Sequence, residues 1–277
     1  MFITVLILSA VVSLIIYHLL RPLLQERVSV LNYRNRPIAG ASGLIIIVSM
    51  MITLAIFSLQ STARFGGSVV FSGAADFLIL IFGTGLLGLV DDLIGDRKDS
   101  GLRGHMRKLK DGKLTTGSLK AIGGFSISMY VASFHSDTAL LLILNTFLLA
   151  LSINAFNLLD LRPGRAIKVF LFLSLILFIG TFREPVWGIW ALMLPPILIL
   201  LWSDLNERTM IGDTGSNVLG ALFGYTLMLS LNWYINLVIL IVLAAFHYYT
   251  ERRSLTELIL RVRILRRLDE LGMRRRL

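Results

Sequence analysis

The chain alternates long apolar runs with short basic segments, and this alternation restricts its fold more than any other feature. The hydrocarbon core of a membrane is about 30 Å thick, and a helix needs roughly 20 apolar residues to cross it. Nine runs of about that length lie at 3–20, 40–59, 70–90, 119–135, 139–158, 166–182, 186–202, 214–230 and 232–249. None has the alternating pattern of a barrel strand. We therefore expect an all-α, polytopic membrane bundle of about nine transmembrane helices.

The composition agrees with a membrane protein. Only 16% of the 277 residues are charged, whereas soluble domains average about 25%. This shortfall excludes an ordinary soluble enzyme, a disordered chain and a fibrous protein. The formal charge of +10 would suggest nucleic acid as the partner of a soluble chain, but no nucleic-acid-binding motif accompanies it. The absence of cysteine excludes disulfides and thiolate-ligated metals.

Lysine and arginine are distributed unequally between the two predicted sides of the membrane. If the N-terminus lies outside, the cytoplasmic loops and the tail hold 25 basic residues, and the opposite face holds only Arg64 and Arg183. Basic residues concentrate on the cytoplasmic side of membrane proteins. The sequence therefore predicts an outside N-terminus and a cytoplasmic C-terminus in the cell membrane.

Residues 251–277 differ from the predicted transmembrane domain, 1–250. Apolar residues recur there at helical spacing, at Leu255, Leu258, Ile259, Val262, Leu265, Leu268 and Leu271, with arginines between them. This pattern is typical of a basic amphipathic helix that lies on an anionic membrane surface. A groove on a soluble partner is the alternative.

Three polar motifs occur at the predicted cytoplasmic ends of apolar runs. They are Gly-Leu-Val-Asp-Asp at 88–92, Asn-Ala-Phe-Asn-Leu-Leu-Asp at 154–160 and Gly-Asp-Thr-Gly-Ser at 212–216. Each has an ordinary structural explanation: a solvated helix end, hydrogen bonding between membrane helices by the two asparagines, and an N-cap. Their common position on one side of the membrane instead suggests a single site.

A single site would bring Asp91, Asp92, Asp160 and Asp213 together at one leaflet. Carboxylates this close repel one another unless cations neutralise them. Mg²⁺ with oxygen ligands is suited to this role when the substrate carries phosphates. Further positive charge for a diphosphate would come from Lys113, Lys120, Arg162 and Arg165.

The three motifs resemble those of the polyprenyl-phosphate N-acetylhexosamine-1-phosphate transferases. This family includes the phospho-N-acetylmuramoyl-pentapeptide transferase and the UDP-GlcNAc:undecaprenyl-phosphate GlcNAc-1-phosphate transferases. The likeness covers roughly residues 30–250 in motif order, span position and membrane side. It implies transfer of a sugar 1-phosphate from a UDP-amino sugar to undecaprenyl phosphate, with release of UMP and a requirement for Mg²⁺, in cell-envelope glycan synthesis.

The resemblance also implies roles for individual residues. Asp91, Asp92 and Asp213 are the expected catalytic residues, and Asp213 and Asp91 are the expected Mg²⁺ ligands. Asn157, Asp160 and Lys120 match positions that bind the nucleotide and diphosphate in the family. The other expected substrate-binding residues come from the motif and the charge argument instead: Asn154, Lys113, Arg162 and Arg165.

Two departures from the family pattern leave alternatives open. The chain has Leu-Arg-Pro-Gly-Arg at 161–165, where the family usually continues Asp-Gly-x-Asp-Gly-Leu after the asparagines, and it lacks the family's His-rich loop. One alternative is a catalytically silent relative that binds lipid phosphate or regulates a wall-synthesis complex. The second is a transporter of a phosphorylated solute, although the span centres hold almost no ionisable residues except Asp76, toward the outer end of the third span. Whether the chain forms a homodimer is also open.

Overall fold

A computed structural model describes residues 2–32, 34–65, 75–95, 112, 115–180 and 184–272. Within these ranges the chain forms helices and one short hairpin. The helices are α1 (Phe2–Arg27), α2 (Leu44–Phe65), α3 (Ala75–Ile94), α4 (Thr116–Ser133), α5 (Ala139–Leu159), α6 (Arg165–Gly180), α7 (Glu184–Leu205), α8 (Gly212–Ser230), α9 (Trp233–Thr250), α10 (Leu255–Arg261) and α11 (Arg263–Glu270). The hairpin pairs β1 (Ser29–Leu31) with β2 (Pro37–Ala39) in antiparallel register.

Five of the described helices are long and apolar enough to cross a membrane. They comprise Phe2–Arg27, Ala75–Ile94, Ala139–Leu159, Gly188–Leu205 and Trp233–Thr250. Large apolar side chains such as Leu19 of α1 and Val238 of α9 are exposed on the outside of the bundle. Extended apolar surfaces of this kind are unusual in soluble monomers and are expected where helices face lipid. The expectation of a helical membrane protein is confirmed, while nine crossings and their direction stay a prediction.

Helix α8 forms the centre of the bundle. Nearly all of its residues are buried, and its main neighbours are α5 and α3, with α6 beside them. Small residues allow this close packing, since a Cβ added at Gly220 would lie 2.5 Å from the Ile153 Cα and one at Gly224 would lie 3.0 Å from the Ser152 Cβ. Membrane helices associate through such small residues because lipid provides no hydrophobic driving force between them.

The β1–β2 hairpin was not predicted, because strands of three residues inside a basic loop show no clear periodicity. Its turn is organised by Asn32, whose Oδ1 accepts hydrogen bonds from the backbone N–H groups of Arg34 (2.8 Å) and Arg36 (2.9 Å). Ala39 pairs with Thr209 in a parallel bridge, and Gly43 N donates to Ile211 O at 3.0 Å. The hairpin thereby holds the chain that precedes α2 against the start of α8.

The C-terminal segment forms two short helices instead of one amphipathic helix. The break lies at Val262, whose backbone is extended, with φ −92° and ψ 111°. Leu255 and Ile259 of α10 are buried, as is Asp269 of α11, whereas Ile264 and Leu268 are exposed. The apolar residues predicted to share one face are therefore divided between the bundle and the outer surface.

Candidate functional site

The first and third motifs meet where α3 ends and α8 begins. Gly88 lies against the backbone of α8, because a Cβ at Gly88 would be 2.3 Å from the Asp213 O and 2.6 Å from the Thr214 N. Gly43 approaches the same turn from the other side, and its added Cβ would be 2.1 Å from the Gly215 N. Glycines with backbone this close leave no space for a side chain, so they fix the position of Asp213 relative to α3 and α2.

Lys120 of α4 links all three motifs through its ammonium group. Its Nζ donates to Asp91 Oδ2 at 3.0 Å and to Asp213 Oδ2. The Asn157 amide completes the arrangement when its oxygen accepts from Lys120 Nζ (2.6 Å) and its nitrogen donates to Asp213 Oδ1 (2.8 Å). A single cation thus contacts residues from α3, α5 and α8. We call Asp91, Asp92, Asp160, Asp204 and Asp213 the carboxylate cluster.

Asp92 has contacts that differ from those of its neighbour Asp91. Its Oδ1 accepts from the Asp213 backbone N–H (2.9 Å), and its Oδ2 accepts from the Thr214 N–H (2.9 Å) and hydroxyl (2.6 Å). These are free donors at the start of α8, where a negative charge also interacts favourably with the helix dipole. Asp92 therefore caps α8 from another helix and holds Asp213 in place.

Asp160 and Asp204 extend the carboxylate cluster toward the loop between α5 and α6. Burial raises the pKa of Asp160 well above its ordinary value, and the nearby Asp204, Asp213 and Asp92 charges raise it further, while a hydrogen bond from the Gly212 backbone opposes the rise. Asp204 Oδ2 accepts from the Gly164 N–H at 2.8 Å. Asp204 was missed by the sequence analysis, because a single acid near the end of an apolar run belongs to no motif.

Within the described part of the chain, the other predicted substrate-binding residues form no hydrogen bond or ion pair with Lys120, Asp91 or Asp213. Asn154, expected to bind substrate, is exposed. Arg165 is buried and turned toward the C-terminal segment, where it forms an ion pair with Asp269. Arg162 is partly exposed in the loop after Asp160, and Lys113 lies outside the described residues. Of the predicted set, the fold brings together Asp91, Asp92, Lys120, Asn157, Asp160 and Asp213.

Two hydroxyl groups lie near the cluster, and the sequence analysis gave neither an individual role. Ser216 Oγ lies 3.3 Å from the Asn157 amide, and Thr116 at the start of α4 forms a hydrogen bond with Asp91. Serine and threonine are common at helix starts for capping alone, so the residue type by itself did not indicate a role for either hydroxyl group.

The residues present fit one mode of Mg²⁺ binding. Asp91 and Asp213 each direct an oxygen at the same point, the Lys120 Nζ. No group of three or more His, Cys, Asp or Glu side chains suited to hold a metal occurs in the described part of the chain. Proteins commonly bind Mg²⁺ through one or two carboxylates, with waters and substrate phosphates as the other ligands. The pair suits this shared mode.

No protein-family model and no curated protein matches this chain. Its function is therefore inferred from the geometry of the carboxylate cluster and from the three motifs.

Proposed function

We propose that this protein transfers a sugar 1-phosphate from a UDP-amino sugar to a polyprenyl phosphate, releasing UMP, in the synthesis of a cell-envelope glycan. The observation that carries the proposal is the contact of Lys120 with Asp91, Asn157 and Asp213. These residues come from three motifs that are far apart in the sequence, and the same motifs carry the resemblance to N-acetylhexosamine-1-phosphate transferases. Motifs with separate capping or packing roles would have no reason to share one cation.

In the proposed membrane arrangement, nine helices cross the cell membrane and the carboxylate cluster faces the cytoplasm. The asymmetry of 25 basic residues against 2 supports this direction. A UDP-sugar is a water-soluble cytoplasmic donor, and a polyprenyl phosphate keeps its headgroup at the membrane surface. A site at the cytoplasmic ends of α3 and α5 is accessible to both substrates.

The proposed reaction is a direct in-line displacement. An oxygen of the lipid phosphate attacks the β-phosphorus of the UDP-sugar and forms a new P–O bond. The bond between the β-phosphorus and the oxygen that bridges the two phosphates breaks, and UMP leaves with that oxygen. Phosphoryl transfer depends mainly on positioning and charge neutralisation. Asp91 and Asp213 would hold Mg²⁺, which supplies neutralising charge for the diphosphate when bound. Lys120 and Arg162 add positive charge, and Asp92 keeps the first turn of α8 in place.

The contacts of Asp91 and Asp92 support different roles for the two residues. Both oxygens of Asp92 accept hydrogen bonds from the start of α8, whereas Asp91 faces Lys120. We therefore assign Mg²⁺ binding to Asp91 and a positioning role to Asp92.

The C-terminal segment is proposed to rest on the anionic cytoplasmic surface of the membrane. Exposed Ile264, Leu268 and Leu271 accompany several arginines there. Apolar side chains next to arginines favour the boundary between lipid headgroups and acyl chains.

The contacts of Asp76 argue against a transport path. Its carboxylate accepts a hydrogen bond from the Tyr225 hydroxyl at 2.8 Å and pairs with His135. Asp76 lies at the opposite end of α3 from Asp91, so the two do not form a continuous polar route along the helix. Proton relays and ion-coupled carriers need ionisable groups at membrane depth.

The test is an assay of UMP release and radiolabelled lipid product. Washed membranes containing the full chain are supplied with undecaprenyl phosphate, Mg²⁺ and, in separate reactions, UDP-GlcNAc, UDP-GalNAc and UDP-N-acetylmuramoyl-pentapeptide. We expect one donor to give both products and Asp213→Asn to abolish them, while Asp137→Asn, an exposed carboxylate in the α4–α5 loop, keeps full activity. Binding of the lipid phosphate without UMP from any donor would indicate the silent relative. Movement of a donor across the membrane without UMP would indicate a transporter.

A further inference from the structure

Arg165, the first residue of α6, forms a buried ion pair with the C-terminal segment. Its Nε donates to Asp269 Oδ1 at 2.7 Å and its Nη2 donates to Asp269 Oδ2 at 3.0 Å. Both side chains are only 3% exposed. A two-bond pair of guanidinium and carboxylate fixes direction as well as distance. Asp269 is therefore held in one orientation at the start of α6.

Lys168 adds a second attachment less than one turn further along α6. Its Nζ donates to the backbone carbonyls of Leu268 (3.1 Å), Asp269 (2.5 Å) and Leu271 (3.2 Å). The last carbonyls of a helix lack partners within the helix, and a cation there also interacts favourably with the dipole. Arg165 Nη1 in addition donates to Thr256 Oγ1 of α10 at 3.3 Å. We call these contacts of Arg165 and Lys168 with α10 and α11 the tail clamp.

The tail clamp acts on the loop that carries Asp160. The loop, residues 160–165, ends at Arg165, and its Gly164 N–H donates to Asp204 of the carboxylate cluster. Gly164 has φ +67° and an added Cβ would be 2.8 Å from Leu205 Cδ2, so the loop is pressed against the end of α7. Gly272, which follows α11, approaches the same Leu205 side chain. The loop is thus enclosed between the carboxylate cluster and the C-terminal segment.

Stability alone is a weak explanation for the tail clamp. Removing two ions from water costs about as much as their attraction returns, and apolar residues of similar size are often at least as stable in the same place. A buried pair instead restricts which arrangement the two elements can adopt. Here the restricted elements are the C-terminal segment and the loop that begins at the site.

We propose that Arg165, Lys168 and Asp269 are positioning residues that hold the 160–165 loop, and with it Asp160 and Arg162, in the conformation that binds the UDP-sugar. This inference rests on the proposed function. This positioning role takes the place of the expectation that Arg165 binds the diphosphate directly. The Arg165 guanidinium already contacts Asp269 and Thr256. If the loop also samples conformations that cannot bind the donor, the apparent affinity for the donor falls in proportion to the fraction of binding-competent loops. A broken clamp therefore raises KM for the donor more than it lowers kcat.

The experiment compares Asp269→Asn with Glu270→Gln in the full-length protein. Glu270 is the neighbouring acid, but it is exposed and pairs with Arg266, so its variant is the matched control. The chain has no native cysteine, and Leu161 is exposed, so a nitroxide attached to Leu161→Cys reports loop mobility without interference. Trypsin cleavage at the arginines of α10 and α11 reports release of the tail. Donor KM and kcat are measured without the label.

For Asp269→Asn we expect tail cleavage at least 10-fold faster, a more mobile nitroxide, a donor KM raised at least 5-fold and a kcat within 2-fold of the parent. Glu270→Gln should match the parent in all four. Lys168→Gln leaves the buried pair intact and should give intermediate values, which keeps the test informative if Asp269→Asn does not fold. A released tail with unchanged nitroxide mobility and unchanged KM would overturn the inference. If the parent protein releases no UMP, the proposed function fails, and a nitroxide that Asp269→Asn makes more mobile would still support the link between tail and loop.

Discussion

Lys120 determines the charge balance at the centre of the site. Its ammonium group lies between Asp91 and Asp213 and also contacts the Asn157 amide. Without this cation, the two carboxylates would repel each other in a partly buried position. Lys120 therefore stabilises the fold as well as supplying positive charge for the proposed diphosphate substrate.

Replacing Lys120 with methionine should lower the free energy of unfolding by about 3 kcal/mol, because it leaves two carboxylates without their partner. UMP release should fall as well. Thermal unfolding in detergent without divalent cations measures the change. Ile122→Met, an exposed position on the same helix, is the control and should unfold like the parent. Equal stability of the Lys120 variant and the control would mean that another group neutralises the pair.

Asp160→Asn should make the protein more stable at neutral and higher pH. The pKa of Asp160 is raised well above 3.8 in the folded chain, so the unfolded chain loses its proton at lower pH than the folded one. Stability therefore falls as pH rises from about 4 to the folded pKa. Asparagine cannot ionise and keeps an oxygen for the Gly212 N–H. Thermal unfolding from pH 4 to pH 8 should show curves that separate as pH rises, and parallel curves would contradict the prediction.

At the level of elements, the site depends on how closely α2, α3 and α8 approach one another. Gly43 and Gly88 contact the backbone of the same turn of α8, and Asp92 caps that turn. The first turn of α8 is therefore held from three directions. Asp213 is positioned by these backbone contacts and by the contacts of its side chain with Lys120 and Asn157.

Gly88→Ala should reduce stability by about 1 to 3 kcal/mol, typical of overpacking, and should greatly reduce UMP release. The new methyl group would meet backbone atoms of Asp213 at 2.3 and 2.5 Å, and backbone cannot move aside as a side chain can. Gly124→Ala is the matched control, since nothing lies within 4 Å of its Cβ position in α4. It should be neutral or slightly stabilising, because alanine favours helix over glycine. Equal effects of the two variants on stability and UMP release would show that α3 and α8 are further apart than in this structure.

The sequence predicted most of the helices but fewer of the contacts between them. Long apolar runs identify a membrane helix because lipid requires every backbone group to be satisfied within the segment. The hairpin pairs with Thr209. Arg165 contacts Thr256 and Asp269 on either side of the break at Val262. No local pattern reveals such contacts. For the same reason, Asp91 and Asp213 could be predicted as neighbours from their motifs, whereas Asp204 and the capping role of Asp92 could not.

At the scale of the whole molecule, the two ends of the bundle have different polar chemistry. The carboxylate cluster lies at one end, and the Asp76, His135 and Tyr225 contacts lie at the other. The carboxylate cluster lies at one end only, which agrees with the proposed chemistry at one membrane surface. The direction of the bundle in the membrane then decides which compartment supplies the soluble substrate.

Two single-cysteine variants test this direction, since the chain has no cysteine of its own. Asp137→Cys is exposed in the α4–α5 loop, and Ser254→Cys is exposed before α10. We expect a membrane-impermeant maleimide to label position 137 in intact cells and position 254 only after the membrane is opened. The reverse labelling pattern would mean that the bundle has the opposite orientation in the membrane, with the carboxylate cluster outside. Labelling of both positions in intact cells would contradict the number of crossings between them.

The central position of α8 has a consequence for biogenesis. Residues 212–230 are made after the helices that carry the first two motifs. Until then, the surfaces of α3 and α5 that pack against α8 lack this partner. Gly88 and Asn157 also lack their contacts with residues of α8. The carboxylate cluster is therefore assembled only once residue 212 has been made, and a nascent chain that stalls before it should remain a loose set of inserted helices that quality-control proteases can recognise.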